Sequence, residues 1–231
     1  MAEICTEIIL ALDSDSLDDA LRTVHMTLDH VRTYKVGTIL FAHHGIESVR
    51  RIREAGAEVF LDLKFHDIPN TVRGAVRGAA RLGVRLLTIH TPGGIEMMKA
   101  ALEGAREGAR AASVDRPLVI GVTVLTSLAG DEGVEDLVMS RTADAVEAGV
   151  DGVVCSAHEL AGIRRKFGDA LVTVVPGIRL NHQAGDDQAR VATPGLAARY
   201  GANFIVVGRS VTRSDDPVRT LKMIEEEVRN A

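Results

Sequence analysis

Short apolar runs alternate with longer amphipathic segments along the whole chain. Eight of these runs are rich in branched aliphatic residues and only a few residues long, which favours β-strands over buried helices. They cover residues 8–12, 34–40, 57–63, 85–89, 118–124, 151–155, 171–175 and 203–207. The segments between them carry apolar residues at helical spacing. The pattern therefore predicts a repeated strand–helix unit and a parallel sheet.

Two of the predicted helices also carry start signals. Residues 17–31 present an apolar stripe, and Ser16 with Asp19 forms a candidate capping box in front of it. In the last helix, Asp216 stands at a favourable N-cap position and Pro217 in the first turn. Both helices are therefore predicted to begin at these residues.

The strand–helix units follow one another through all 231 residues, and no linker separates them. This organisation predicts one domain over residues 1–231, an α/β fold closed into a (β/α)₈ TIM barrel, which usually needs about 250 residues. A doubly wound open sheet is the competing architecture for the same alternation. Apolar residues make up 46% of the chain and aromatic residues only 3%, so the core is expected to be aliphatic.

Composition argues against several functional classes. The net charge is −5 and no basic run occurs, so nucleic-acid binding is not expected. No stretch approaches the roughly 18 apolar residues of a membrane span, and acidic residues stand where a signal peptide needs positive charge, so the expected location is cytoplasmic. Cys5 and Cys155 lack metal-binding spacing and are predicted to be buried reduced thiols rather than a disulfide.

The catalytic groups of a barrel lie where its strands end and in the loops that follow. That rule selects Lys35 within the second predicted strand and polar residues at or just beyond the ends of five others. They are Asp13, Lys35, Asp62, Lys64, His90, Thr126 and Arg209.

Four of these residues are predicted to meet at one mouth of the barrel. Side chains two apart on a strand share a face, so Asp62 and Lys64 point the same way. The same alternation brings Lys35 of the second strand and Asp13 after the first to that face. A structural ion-pair network is one interpretation of such a cluster. A catalytic site is the favoured interpretation, because aliphatic residues would fill a core without the cost of burying charge.

The segment DLKFHDIPNT (62–71) resembles the signature of the orotidine 5′-monophosphate decarboxylase family. Further blocks resemble that family in the same order, and the similarity extends over essentially the whole chain. These blocks are ALDSD (11–15), YKVG (34–37), TVLTS (123–127), PGIR (176–179) and VGRSV (207–211).

The resemblance implies a reaction and a set of catalytic residues. Orotidine 5′-monophosphate would lose CO₂ from C6 to give UMP in pyrimidine biosynthesis, with no metal and no cofactor. Lys64 would stabilise the C6 carbanion and protonate it, and Asp62 would lie beside the substrate carboxylate. Lys35 and Asp67 would complete an alternating series of lysines and aspartates that orients Lys64.

The resemblance also implies the residues that bind substrate. Asp13 would accept a ribose hydroxyl, and Thr126 would contact the pyrimidine at the start of a candidate lid, residues 127–133. The loops after the seventh and eighth strands would hold the phosphate, with Arg209 among the binding residues. The alternative interpretation is that Arg209 is an ordinary surface arginine. The substrate-binding set is Asp13, Lys35, Asp62, Lys64, Asp67, Ile68, Thr71, Thr126, Arg179, Gln188, Gly208 and Arg209.

The family resemblance further implies a homodimer in which Asp67 and Thr71 enter the partner's site. Helix capping around Ile68 and Pro69 is the alternative role of these two residues.

Two other functions compete with the decarboxylase. Magnesium-dependent sugar-phosphate decarboxylases and synthases share the signature, but they carry a glutamate ligand where this chain has Lys35, and an ammonium cannot bind Mg²⁺. A barrel that only binds a phosphorylated ligand is the third possibility. The intact set of Lys35, Asp62, Lys64 and Asp67 argues against it.

Overall fold

Eight parallel strands close into a barrel in the order β1 to β8, with β8 pairing with β1. The computed structural model describes residues 6–125, 133–180 and 192–231. The predicted (β/α)₈ barrel is confirmed, and the open-sheet alternative is wrong. No helix within these described ranges is long and apolar enough to cross a membrane.

The strands are short and each falls within or beside a predicted one. They are β1 (Glu7–Ala11), β2 (Thr33–Gly37), β3 (Glu58–Phe65), β4 (Leu86–His90), β5 (Leu118–Val122), β6 (Gly152–Val154), β7 (Val172–Val175) and β8 (Phe204–Val207).

Helices follow the strands and cover the outside of the barrel. They are α1 (Leu17–Thr27), α2 (Thr38–His44), α3 (Ile46–Glu54), α4 (Pro69–Ala80), α5 (Gly94–Ala112), α6 (Val134–Ala148), α7 (Ala157–Phe167), α8 (Pro194–Arg199), α9 (Arg209–Thr212) and α10 (Pro217–Arg229).

The second strand ends earlier than predicted. The prediction extended it over residues 34–40, whereas β2 ends at Gly37 and α2 begins at Thr38. A continuous apolar run does not distinguish a strand from a buried helical turn, which is why the run Thr38–Leu40 was placed in the wrong element. The first helix likewise ends at Thr27, before the predicted limit of residue 31.

Both predicted helix starts are present. The Ser16 hydroxyl accepts a hydrogen bond from the Asp19 N–H at 3.2 Å. The Ser16 N–H, however, donates to Ser14 Oγ, so the capping box forms only in part. Asp216 caps α10 by accepting the Arg219 N–H at 2.9 Å, and Pro217 occupies the first turn.

The interior of the barrel consists of three zones. At the amino-terminal end, Arg85 donates to Thr33 Oγ1 at 2.7 Å and pairs with Glu7 and Glu58. The middle is an apolar cluster, and the carboxyl-terminal end carries the charged residues described below. The apolar cluster consists of Ile9, Ala11, Phe60, Leu86, Ile120, Val174, Phe204 and Val206.

Candidate active site

A cavity of about 290 Å³ opens at the carboxyl ends of the strands. This volume is close to the lower end of ordinary ligand pockets, about 300–1,000 Å³. Its floor is apolar, with Ala11, Phe60 and Val206 among its lining residues. Seven of the predicted site residues also line it, as expected for a barrel enzyme. They are Asp13, Lys35, Asp62, Lys64, Arg179, Gly208 and Arg209.

Lys35 joins two carboxylates at the cavity wall. Its Nζ lies 3.0 Å from Asp13 Oδ1 and 3.7 Å from Asp62 Oδ2, and its side chain is only 13% exposed. A Cβ at position 37 would lie 3.0 Å from Lys35 Nζ and 3.3 Å from Asp13 Oδ1. Gly37 therefore leaves room for the ion pair at the end of β2.

Asp62 accepts hydrogen bonds from two side chains as well as facing Lys35. Lys64 Nζ lies 2.8 Å from Asp62 Oδ1, and Thr88 Oγ1 donates to the same oxygen at 2.9 Å. Burial acts to raise the pKa of Asp62, but the charges of Lys35 and Lys64, with the hydrogen bonds from Lys64 and Thr88, lower the pKa below its usual value. The carboxylate is therefore held in its ionised form.

Strand β3 departs from regular geometry where it presents these groups. Leu61 pairs with Leu87, but Phe65 pairs with Ile89, so β3 bulges against β4 between the two pairs. Lys64 lies in the bulge with a φ of 52°, in the left-handed region that residues other than glycine rarely adopt. Backbone strain of this kind concentrates at functional sites.

Asp67, Ile68 and Thr71 lie on the surface beyond this cluster, and all three are exposed. Asp67 Oδ1 accepts the Ile68 N–H at 2.7 Å, and Ile68 itself is the N-cap of α4, with no side-chain cap. Helix capping by Asp67 is therefore not observed. Within the described part of one chain no ion pair joins Asp67 to Lys35 or Lys64, so the alternating series stops at Lys64.

The predicted phosphate-binding groups line the same cavity at the ends of β7 and β8. Gly208 and Arg209 follow β8 directly, and Arg179 follows β7, which places all three at the usual phosphate-binding corner of a barrel. Thr126, Gln188, residues 127–132 of the candidate lid, and Cys5 lie outside the described residues. Cys155 is a free buried thiol, as predicted, and burial raises its pKa.

Two histidines lie beside the lysine cluster. The rings of His66 and His90 are 5.5 Å apart, and His90 is half-buried at the end of β4. Burial lowers the pKa of His90, and the neighbouring His66 and Lys64 lower it further. His90 is therefore held neutral near physiological pH. Among the described residues, no group of three His, Cys, Asp or Glu side chains has the arrangement of a metal site.

The sequence model of the family described as "Orotidine 5'-phosphate decarboxylase / HUMPS family" matches residues 6–224. The chain belongs to this family. A curated orotidine 5′-phosphate decarboxylase of Pelobacter propionicus is 42% identical over 96% of this chain and 95% of its own length. The corresponding protein of Dichelobacter nodosus is 44% identical over 94% of this chain and 96% of its own.

Two solved structures are similar to this chain over nearly its whole length. The orotidine 5′-phosphate decarboxylase of Lactobacillus acidophilus superposes with a TM-score of 0.84 at 33% identity, covering 98% of this chain and 100% of its own. An uncharacterised conserved protein of Geobacillus kaustophilus gives a TM-score of 0.81 at 36% identity, over 96% of this chain and 99% of its own. The (β/α)₈ barrel thus agrees with the family assignment.

Sequence reasoning missed two residues that shape this decarboxylase-family site. Thr88 was read only as part of an aliphatic strand, although its hydroxyl contacts both Asp62 and Lys64. Gly37 entered the prediction only as the last residue of the YKVG block (34–37). A polar residue on the inward face of β4, two positions before His90, was the available signal for Thr88.

Proposed function

We propose that the chain decarboxylates orotidine 5′-monophosphate to UMP and CO₂, without a metal or cofactor, as a step of UMP biosynthesis. The observation that carries this proposal is the contact of Lys35, Asp62 and Lys64 at the mouth of a barrel whose family includes this activity. A free buried thiol at Cys155 agrees with the reducing conditions of the cytoplasm, which is the proposed location.

The proposed chemistry relies on fixed charge. The bond from C6 to the carboxylate breaks, CO₂ leaves, and the electron pair stays on C6. The Lys64 ammonium stabilises this carbanion and then transfers a proton to it, after which solvent reprotonates the amine. To accelerate a reaction of this kind, the protein must stabilise the transition state by on the order of 20 kcal/mol. Charged groups that are already oriented in a water-poor site can supply this stabilisation.

Asp62 has two roles in this proposal. Its carboxylate holds Lys64 at 2.8 Å, and it lies beside the carboxylate that the substrate loses, where repulsion between the two anions favours departure of CO₂. Lys35 keeps Asp62 ionised from the other side and links it to Asp13, which binds a ribose hydroxyl in the proposed complex.

Phosphate binding provides the anchor for the nucleotide. Gly208 and Arg209 suit a phosphate group, because a glycine permits close approach to the backbone and an arginine can bind two phosphate oxygens at once. Arg179 lines the same cavity. Gln188 and Thr126 complete the proposed substrate contacts, with phosphate and pyrimidine respectively.

A homodimer would supply the fourth charge of the series. Asp67 and Thr71 are exposed just after β3, and Ile68 between them is 68% exposed, the highest value for a large apolar side chain among the described residues. In the proposed dimer, Asp67 and Thr71 extend into the partner's cavity, and Ile68 is buried between the subunits.

The magnesium-dependent sugar-phosphate reaction is the second candidate, and Lys35 is the observation against it. Its ammonium lies between Asp13 and Asp62, the two carboxylates that would otherwise be available to a cation. A divalent ion at that point would be repelled by the lysine.

One assay separates these functions. The protein is purified from a host that lacks its own orotidylate decarboxylase, and the ultraviolet change of orotidine 5′-monophosphate is followed with and without EDTA. We expect rapid conversion to UMP at the same rate in both. An absence of conversion, or its loss in EDTA, would contradict the proposal.

A further inference from the structure

Thr88 is a buried polar residue in the wall of the barrel. It lies in β4 between Leu87 and Ile89, and its side chain is directed to the interior on the same face as Leu86 and His90. The residue has no exposed surface. Its hydroxyl therefore needs partners within the protein.

The hydroxyl has two partners, and the direction of each hydrogen bond is determined by chemistry. It accepts the backbone N–H of Lys64 at 2.8 Å, because that group can only donate. It donates to Asp62 Oδ1 at 2.9 Å, because an ionised carboxylate can only accept. A single hydroxyl thus connects the backbone of one charged residue to the side chain of the other.

These bonds close a ring around Lys64. Its backbone N–H binds Thr88, Thr88 binds Asp62, and Asp62 accepts the Lys64 ammonium at 2.8 Å. The ring coincides with the β3 bulge, where the shifted register removes Lys64 from the regular ladder with β4. The hydroxyl replaces the missing backbone acceptor and stabilises the left-handed conformation of Lys64.

We propose that Thr88 is a positioning residue of the decarboxylase site, which holds the Lys64 backbone and the Asp62 carboxylate in the geometry that the reaction requires. This inference rests on the proposed function. Thr88 contacts neither the phosphate-binding arginines nor the ribose-binding Asp13 among the described residues, so its role is to orient charge rather than to bind nucleotide.

The test compares three purified variants with the wild type. Thr88→Val removes the hydroxyl and keeps the shape, and Thr88→Ser keeps the hydroxyl. Thr33→Val is the matched control, because Thr33 is also a buried strand threonine, which accepts an arginine N–H and donates to Glu7 Oε1 at 3.1 Å at the other end of the barrel. For each protein kcat and KM are measured, with the folded active fraction obtained by UMP titration.

We expect kcat of Thr88→Val to fall by about 10- to 100-fold per active site, the scale expected when a catalytic group is displaced. KM should change by less than about threefold, since the nucleotide contacts remain. Thr88→Ser should restore most of the lost kcat, and Thr33→Val should keep kcat even where it lowers stability.

A pH profile adds a readout that a purely structural role would not affect. Among the described residues, the charged or titratable groups that act on Asp62 are Lys35 from β2, Lys64 from β3 and the nearby His90 from β4. Loss of the Thr88 donor should raise the pKa of Asp62, so the acid limb of kcat should move to higher pH in Thr88→Val only.

Each outcome is decisive. The role proposed for Thr88 is wrong if Thr88→Val and Thr33→Val have equal kcat, or if Thr88→Ser fails to restore activity. In either case the proposed function still holds, provided that the wild type turns over orotidine 5′-monophosphate. Wild-type protein that does not convert orotidine 5′-monophosphate overturns the proposed function and this inference with it.

Discussion

Lys35 Nζ faces Asp62 Oδ2 at 3.7 Å, on the carboxylate oxygen opposite to the one that Lys64 holds. Asp62 is therefore bracketed by two ammonium groups that come from different strands. This arrangement fixes the orientation of the carboxylate and keeps it charged in a largely buried position.

The bracketed carboxylate should make stability depend on acid pH. Because the pKa of Asp62 is lowered in the folded protein, its stabilising contribution is complete above the ordinary value, about 4, and is lost as the pH falls through the folded-state pKa. As the pH falls below about 4, we expect the free energy of unfolding of the wild type to decrease relative to that of Asp62→Asn. Urea titrations from about pH 6 to about pH 3 measure the difference.

Asp115→Asn serves as the control in that experiment, because Asp115 is an exposed residue between α5 and β5. It reports the effect of removing a surface carboxylate. If the free energies of unfolding of wild type and Asp62→Asn differ by an amount that does not vary with pH, the account of Asp62 is contradicted.

Arg209 should contribute mainly to nucleotide binding. Its position after β8 favours contact with phosphate, and a hydrogen bond to a charged group contributes about 1.5–3 kcal/mol. We therefore expect Arg209→Ala to lower kcat/KM by about 10- to 100-fold. Arg213→Ala, which removes an exposed arginine just after α9, should have little effect. Unchanged kcat/KM in Arg209→Ala would show that phosphate binds elsewhere.

Mixing two inactive variants tests the proposed sharing of sites between subunits. Lys64→Ala and Asp67→Asn should each be inactive alone. If Asp67 acts in the partner's cavity, random heterodimers contain one intact site, and about a quarter of all sites should recover after subunit exchange. Turnover per site, measured after mixing and equilibration, gives this fraction.

The control mixture contains Lys64→Ala and Asp62→Asn, which affect residues proposed to act within the same chain. No heterodimer of this pair has a complete site, so it should not recover. Recovery in the control, or none in the test mixture, would contradict the shared site.

Much of this site followed from strand periodicity. Alternation along β3 predicted that Asp62 and Lys64 share a face. Alternation along β2 predicted that Lys35 points to the same mouth of the barrel. The contacts of Asp62 with both lysines confirm that the three residues meet there. The ends of parallel strands meet at one edge of a barrel, so knowledge of strand order was sufficient to group these residues.

The bulge in β3 could not be predicted in the same way. Nothing in the run from Leu61 to Phe65 distinguishes a regular strand from one that shifts its register, because the choice depends on the partner strand. The positive φ of Lys64 and the role of Thr88 arise from that shift. The end of β2 was misplaced for a related reason, since its apolar run continues into α2.

The most direct test of the lysine–aspartate account is CO₂ release by Lys64→Ala from carboxyl-labelled orotidine 5′-monophosphate, with UMP binding measured on the same sample. Lys99→Ala, which removes an exposed lysine on α5, is the matched control. We predict that the Lys64 variant loses CO₂ release by at least about a thousandfold while UMP still binds, because both charge stabilisation and the proton donor are removed. Near-normal CO₂ release by Lys64→Ala would contradict the mechanism.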